Sequence, residues 1–318
     1  MTGSGPSGAG TPDGATTCQA CGAAVEPHQA FCESCGTALR PDADAPSPRD
    51  HYVEQPATWV AAVCDRGVRH HRNEDATAVA ADPEPGSRAV LVVCDGVSTA
   101  SDSDVAALAA ARRARDVLVA LRPADVPDLA DRAGAIARSI EDAVAQADQA
   151  VLAVTPSDSP NPAACTFAAA VVEGDLLVFG NLGDSRVYWL PDAGGEGPGS
   201  AAAELSLDDS MAQARIAMGV DRETAEHGPQ AHAITRWLGQ SSPGTVPRTG
   251  SVLLGHPGWV LVCSDGLWNY CSEAEALGHV VAALAATSPS PLELGEALVR
   301  WANDQGGRDN VSVALARH

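Results

Sequence analysis

Lysine is absent from this 318-residue chain, so all 20 of its Lys-plus-Arg residues are arginine. That excludes a Walker A phosphate loop, which needs a Lys to reach the phosphates. Positive charge is scarce altogether: 41 acidic residues leave a net charge of −21. Nucleic-acid binding runs on cations that neutralise phosphates, so no nucleic-acid partner is expected. Arg112, Arg113 and Arg115 read instead as a solvated helix face. No apolar run approaches the roughly eighteen residues of a membrane span. The Gly/Ser/Pro-rich stretch Met1–Ala15 has neither the basic nor the apolar region of a signal peptide. The expected address is the cytoplasm, with no membrane partner. No Gly-x-Ser-x-Gly elbow surrounds a candidate nucleophile, so Ser98, His71 and Asp65 are not read as a hydrolase triad.

Cysteine is present in two patterns. Cys64, Cys94, Cys165, Cys263 and Cys271 are scattered, mostly in apolar surroundings, as small buried hydrophobes would be. Cys18, Cys21, Cys32 and Cys35 instead form two C-x-x-C pairs ten residues apart, with Gly22 and Gly36 just after them. Four thiolates so spaced suit one tetrahedral, structural Zn²⁺, and in so short a segment the metal supplies the folding energy. The module resembles a zinc ribbon. Its only charges between Cys18 and Leu39 are Glu26 and Glu33, which favours a structural or protein-docking role with a protein partner.

The length suits one large domain with a small appendage. Residues 1–17 read as a disordered N-terminus, 18–40 as the ribbon, 41–55 as a Pro/Asp-rich linker and 56–318 as the large domain. Apolar runs predict strands over 58–64, 76–81, 89–94, 166–172, 176–181, 185–190, 259–263 and 311–316. Helical periodicity covers 102–121, with Asp102 as a cap, and 129–154, 272–286 and 291–303. Strand runs at both ends flank a central helical pair, an order that means α+β with layered sheets.

Acidic residues recur at the edges of these strands. Asp95-Gly96 follows Ala89–Cys94, Gly183-Asp184 follows Leu176–Asn181, Asp265-Gly266 follows Trp259–Cys263, and Asp309-Asn310 precedes Val311–Leu315. Glu74-Asp75 adds a further acidic pair. One Asp-Gly is an ordinary turn dipeptide, but rigid carboxylates at several strand ends suit hard cations such as Mg²⁺ or Mn²⁺.

The ordered set Asp65-Arg66-Gly67, Asn73-Glu74-Asp75, Asp95-Gly96, Cys165-Thr166, Asn181 to Arg186, Leu205 to Ser210, Ile234 to Gly239, Ser264 to Trp268 and Gly307 to Val311 resembles the PPM (type 2C) metal-dependent serine/threonine protein phosphatases, bacterial ones in particular. The likeness spans residues 57–318. It implies a four-layer α-β-β-α sandwich with a binuclear Mn²⁺ or Mg²⁺ site at one end of the sheets. Asp95 would bridge two ions, the Gly96 carbonyl would bind one, and Asp265 and Asp309 would complete one shell. Glu74 and Asp75 would orient metal-bound waters, and Asp184 matches a third-metal aspartate. Substrates would be phosphoproteins, the targets of a Ser/Thr kinase. The chemistry stands without the resemblance: two cations can acidify a water that attacks phosphorus in line, so no phosphoenzyme is needed.

Two departures stand out. Where the family usually carries a phosphate-binding Arg, this chain has His70, so His70 helped by Arg69 or Arg72 is expected to bind phosphate. After Asp95-Gly96 the family often has Met or His and two glycines, but here Val97-Ser98-Thr99 follow, with no His general acid. Residues 205–239, with Met211, Ile216 and Met218, match the family's mobile flap. The alternative reading is a weakly active or inactive phosphatase-like protein that recruits partners through its ribbon.

Overall fold

The computed structural model describes residues 16–22, 24–25, 39, 47–122, 126, 128–156 and 158–318. The chain divides into two compact units, Met1–Pro46 and Ser47–His318. In the first, β1 (Thr16–Thr17) pairs antiparallel with β2 (Ala24–Val25), and buried Cys18 packs against Val25 and Leu39. Gly22 donates its N–H to the Cys18 carbonyl at 2.8 Å and takes φ 77°, a turn tight enough to favour glycine. Cys32 and Cys35 lie outside the described residues, as do most of those expected to form the N-terminal tail.

The second unit begins with β3 (His51–Ala57), β4 (Val60–Asp65), β5 (Ala76–Ala81) and β6 (Ala89–Cys94). Helices α1 (Ser103–Ala120) and α2 (Leu129–Val154) follow. Then come β7 (Ala164–Cys165), β8 (Phe167–Glu173), β9 (Leu176–Leu182), β10 (Arg186–Pro191) and β11 (Ala203–Glu204). The chain continues through α3 (Met211–Ala217), α4 (Arg222–Glu226), β12 (Leu238–Gly239), β13 (Arg248–Leu253) and β14 (Gly258–Cys263). It closes with α5 (Asp265–Trp268), α6 (Ala274–Ala285), α7 (Pro291–Asp304) and β15 (Val311–Arg317).

Two antiparallel sheets carry the architecture, one ordered β11-β10-β14-β15-β4-β3 and the other β13-β9-β8-β6-β5. Strand side chains alternate between faces, and here both faces are covered. In β6, Val90, Val92 and Cys94 pack under α1 and α2, while Ala89, Leu91 and Val93 face the other sheet. In β15, Ala314 and Ala316 join that central layer, while Val311, Val313 and Leu315 pack against α6 and α7. Three apolar layers thus separate helix pair, sheet, sheet and helix pair, the α-β-β-α order the resemblance implies. Burial on both faces is why these strands read as continuous Val/Ala/Leu runs. Cys64, Cys94, Cys165 and Cys263 are fully buried and Cys271 half-buried. No described helix is long and apolar enough to cross a membrane.

The structure corrects several sequence expectations. His51–Ala57, which overlaps the end of the stretch read as linker over 41–55, is an edge strand on β4 with a register shift between Glu54 and Ala57. Its side chains are largely exposed, so it lacks an apolar run, and Pro56 sits where the ladder is already broken. β13 escaped notice for the same reason: Arg248-Thr249-Gly250-Ser251 is a polar edge on β9. The 205–239 segment contains two short helices, α3 and α4, capped by the Ser210 and Asp221 side chains. Asp102 does begin α1, but with φ 54° and no side-chain cap hydrogen bond; its carbonyl accepts from Ala106 N.

Candidate functional site

Strand register gathers the carboxylates within each sheet. Ala76 opposes Cys94, so Asp75 and Asp95 flank the same end of the β5–β6 pair. Arg186 opposes Cys263, and Cys263 opposes Val313. Asp184, Asp265 and Asp309 therefore leave neighbouring strands at one end of the second sheet, close enough to Asp95 for their charges to act on it.

The backbone there is tightly stitched. Asp95 N donates to Thr166 Oγ1 at 3.0 Å, Thr166 N donates to the Asp95 carbonyl at 2.8 Å, and Thr166 Oγ1 contacts Ser185 Oγ at 2.7 Å. Asn310 joins three segments: its Oδ1 accepts from Glu74 N at 2.8 Å, and its Nδ2 donates to the carbonyls of Arg66 and Arg72 at 2.7 and 3.1 Å. Asp265 Oδ2 accepts from Asn269 Nδ2 at 2.9 Å. Close approach dictates two glycines. A Cβ on Gly96 would lie 2.6 Å from the Glu74 carbonyl oxygen, and one on Gly266 1.9 Å from that of Asn310.

Electrostatics marks the cluster as strained. Burial lifts the Asp95 carboxyl well above the usual range, and the charges of Asp75, Asp265, Asp309 and Asp184 lift it further. Asp265 is raised likewise, first by burial and then by Asp309, Asp184 and Asp75. Burial, with repulsion from Asp309, pushes Asp75 up to about 6. Burial, with repulsion from Asp208, pushes Asp184 up to about 7. Like charges so disposed cannot all ionise without cations. Asp75 Oδ2 is buried without a hydrogen-bond partner, which a metal-bound water would supply.

The donor set is all oxygen, as Mg²⁺ and Mn²⁺ require. Among the described residues no group of three or more His, Cys, Asp or Glu side chains is drawn together tightly enough to hold a metal ion. Mg²⁺-type sites keep several waters and use only one or two carboxylates per ion, so an open arrangement of carboxylates fits such ions.

The expected phosphate-binding residues separate. His70 places Nε2 3.3 Å from Asp309 Oδ1 and Nδ1 3.9 Å from Glu74 Oε2, at the edge of the carboxylates. Arg72 is committed to Glu74, with Nη2 2.7 Å from Oε1, and Glu74 also accepts from Ser103 Oγ. Arg69 is exposed.

Arg186 was visible as part of a motif but had no role assigned. It is 2% exposed and bonds Asp208 at 2.7 Å, Glu226 at 3.3 Å and Glu204 at 3.4 Å. Its guanidinium lies 3.6 Å above the Trp268 ring, and Trp268 Nε1 donates to the Asp184 carbonyl at 2.9 Å. This hub ties α4 and the 205–210 loop to the segments bearing Asp184 and Asp265. The available signal was a charge inside the strand Arg186-Val187-Tyr188-Trp189, since a buried Arg needs partners.

The geometry has counterparts in known proteins. A family model described as protein phosphatase 2C matches residues 66–301. The serine/threonine phosphatase stp of Listeria innocua is 26% identical over 256 residues, covering 79% of this chain and 92% of that protein. Protein phosphatase PhpP of Streptococcus pneumoniae is 32% identical over 152 residues, covering 47% of this chain, and the match spans only 56% of that protein. Among solved structures, the catalytic domain of the serine/threonine protein phosphatase PstP, in complex with two manganese ions, superposes with a TM-score of 0.58 at 24% identity, covering 83% of this chain and 97% of that one. With its strand-end carboxylates arranged as described and the family match running over most of its length, this chain belongs to the protein phosphatase 2C family.

Proposed function

We propose that this protein is a metal-dependent phosphatase that hydrolyses phosphoserine and phosphothreonine in proteins. The observation that carries the reading is the convergence of five aspartates at one end of the paired sheets, with too little positive charge nearby to offset them. Asp95, the Gly96 carbonyl, Asp265 and Asp309 would hold two Mn²⁺ or Mg²⁺ ions, and Asp184 would serve a third. Bound there, the cations would neutralise charge on the phosphoryl oxygens and acidify a water. The chain's own groups then set geometry and protonation. Glu74, held by Arg72 and Ser103, keeps its carboxylate fixed beside the reacting water. Asp75, relieved by bound cations of the repulsion that raises its carboxyl in their absence, would orient a metal-bound water. His70, with Arg69 as its helper, would donate to the phosphate, while Arg72 acts mainly through Glu74. With Val97-Ser98-Thr99 in place of a His, solvent protonates the leaving alcohol. The manganese-bound PstP domain shares this fold and supports Mn²⁺ as the first ion to test. The intact carboxylates weigh against a purely recruiting, inactive protein.

For the N-terminal unit we propose a zinc ribbon over 18–40, joined by a linker to the catalytic domain and docking a protein partner. The tight turn from Cys18 to Gly22 between β1 and β2 supports it, because it presents two cysteines on one knuckle. Phosphate release from phosphothreonine peptides tests the catalytic reading: activity that requires Mn²⁺ and vanishes with chelator supports it, and a metal-independent rate refutes it. Elemental analysis tests the ribbon. One Zn per chain, lost in Cys18→Ser, is expected; no Zn in wild type refutes it.

A further inference from the structure

A cavity of about 600 Å³ adjoins the candidate metal centre. Gly266 and Asp309 line it, together with Arg308, His227, His232, Trp268 and Tyr270. Two acidic side chains reach it, and both are already engaged. Both Glu226 oxygens are used, Oε1 by Arg186 and Arg222 at 3.3 and 3.0 Å and Oε2 by Ser272 Oγ at 2.7 Å. Asp309 belongs to the carboxylate cluster. Arg308, by contrast, is exposed and forms no ion pair among the described residues, while its backbone N–H is pinned to Tyr270 Oη at 2.9 Å. In a chain of net charge −21, this is a guanidinium with no ion pair among the described residues, on a fixed backbone, beside two exposed imidazoles and next to the proposed reaction centre.

We propose that this cavity selects substrates by taking an acidic side chain, Asp, Glu or a second phosphoresidue, that flanks the phosphoresidue being hydrolysed. The inference rests on the phosphatase reading and names its substrate class. Arg308 and Asp309 line the same cavity, so the Arg308 guanidinium and a phosphate held at Asp309 lie within that cavity's span. An extended peptide advances about 3.3–3.6 Å per residue. The acidic residue therefore falls within three positions of the phosphoresidue. Arg308 offers a planar fork matched to carboxylate or phosphate, with the exposed imidazole of His232, its ring centroid 6.0 Å from that of Trp268, on the same cavity wall.

The test uses the full chain with Mn²⁺ and phosphothreonine peptides carrying a single Asp at each position from −3 to +3 in an alanine background. One or two positions should raise kcat/KM about three- to tenfold, the size of a partly desolvated ion pair. The gain should shrink in high salt, and the acidic-to-alanine ratio should fall to about one in Arg308→Gln. Equal kcat/KM across the series, or a ratio unchanged in Arg308→Gln, overturns the proposal. Fluorescence anisotropy of the same peptides with Asp95→Asn tests the cavity without turnover. Tighter binding of the acidic peptides, lost in the double variant with Arg308→Gln, supports it, and equal binding overturns it. Absence of turnover in wild type counts against the phosphatase reading alone.

Discussion

Replacing Asp184 with Asn should stabilise the metal-free protein at high pH. Asp184 is 4% exposed, and burial together with repulsion from Asp208 raises its carboxyl from 3.8 to about 7. A carboxyl with a raised folded pKa binds protons more tightly in the native than in the unfolded state. Wild-type stability therefore falls as pH rises from about 4 through about 7. At about 1.4 kcal/mol per pH unit, the ionised side chain costs the apo protein about 4 kcal/mol at pH 8. Asn keeps the shape and carries no charge. Urea unfolding in excess chelator, followed by tryptophan fluorescence, provides the assay, and all six tryptophans lie in the Ser47–His318 unit. Asp184→Asn should exceed wild type by about 4 kcal/mol at pH 8, and the difference should disappear towards pH 4. Saturating Mn²⁺ should narrow it, because cations neutralise the same charge. A difference independent of pH, or a variant less stable than wild type at pH 8, would refute the electrostatic reasoning.

Three further outcomes are expected. Gly266→Ala drives a Cβ to 1.9 Å from the Asn310 carbonyl oxygen, so it should lower stability by about 3 kcal/mol or more, read as a lower urea midpoint. Arg186→Met strands Asp208, Glu204 and Glu226 without their shared cation; it should cost about 3–5 kcal/mol and make the 205–239 segment markedly more susceptible to limited proteolysis. His70→Ala should raise KM for phosphopeptide several-fold; an unchanged KM would remove His70 from phosphate binding.

Most of the layered architecture was legible because β4, β6, β8, β14 and β15 are buried on both faces and write themselves as apolar runs. The strand-end aspartates were legible for the same reason, being acidic residues within two positions of where the strands stop. What escaped detection is polar by construction. β3 and β13 are edges with exposed faces, and α3 and α4 are too short to show a period. Pairwise consequences were also hidden. Nothing in Arg72 or Glu74 taken singly reveals that they bond each other, so Arg72 looked free for phosphate. Nor could spacing show that Asn310 ties the Arg66, Arg72 and Glu74 backbones together.

The most direct test of the central claim couples metal occupancy to hydrolysis in one titration. Mn²⁺ is added to chelator-stripped protein while bound metal and phosphate release from a phosphothreonine peptide are recorded, for wild type, Asp95→Asn and Asp265→Asn. The account predicts at least two ions bound by the Ser47–His318 unit, a rate that rises with their occupancy, and a loss of about 100-fold or more in both folded variants. Wild-type protein that binds the ions yet releases no phosphate, or variants that keep the full rate, would contradict it.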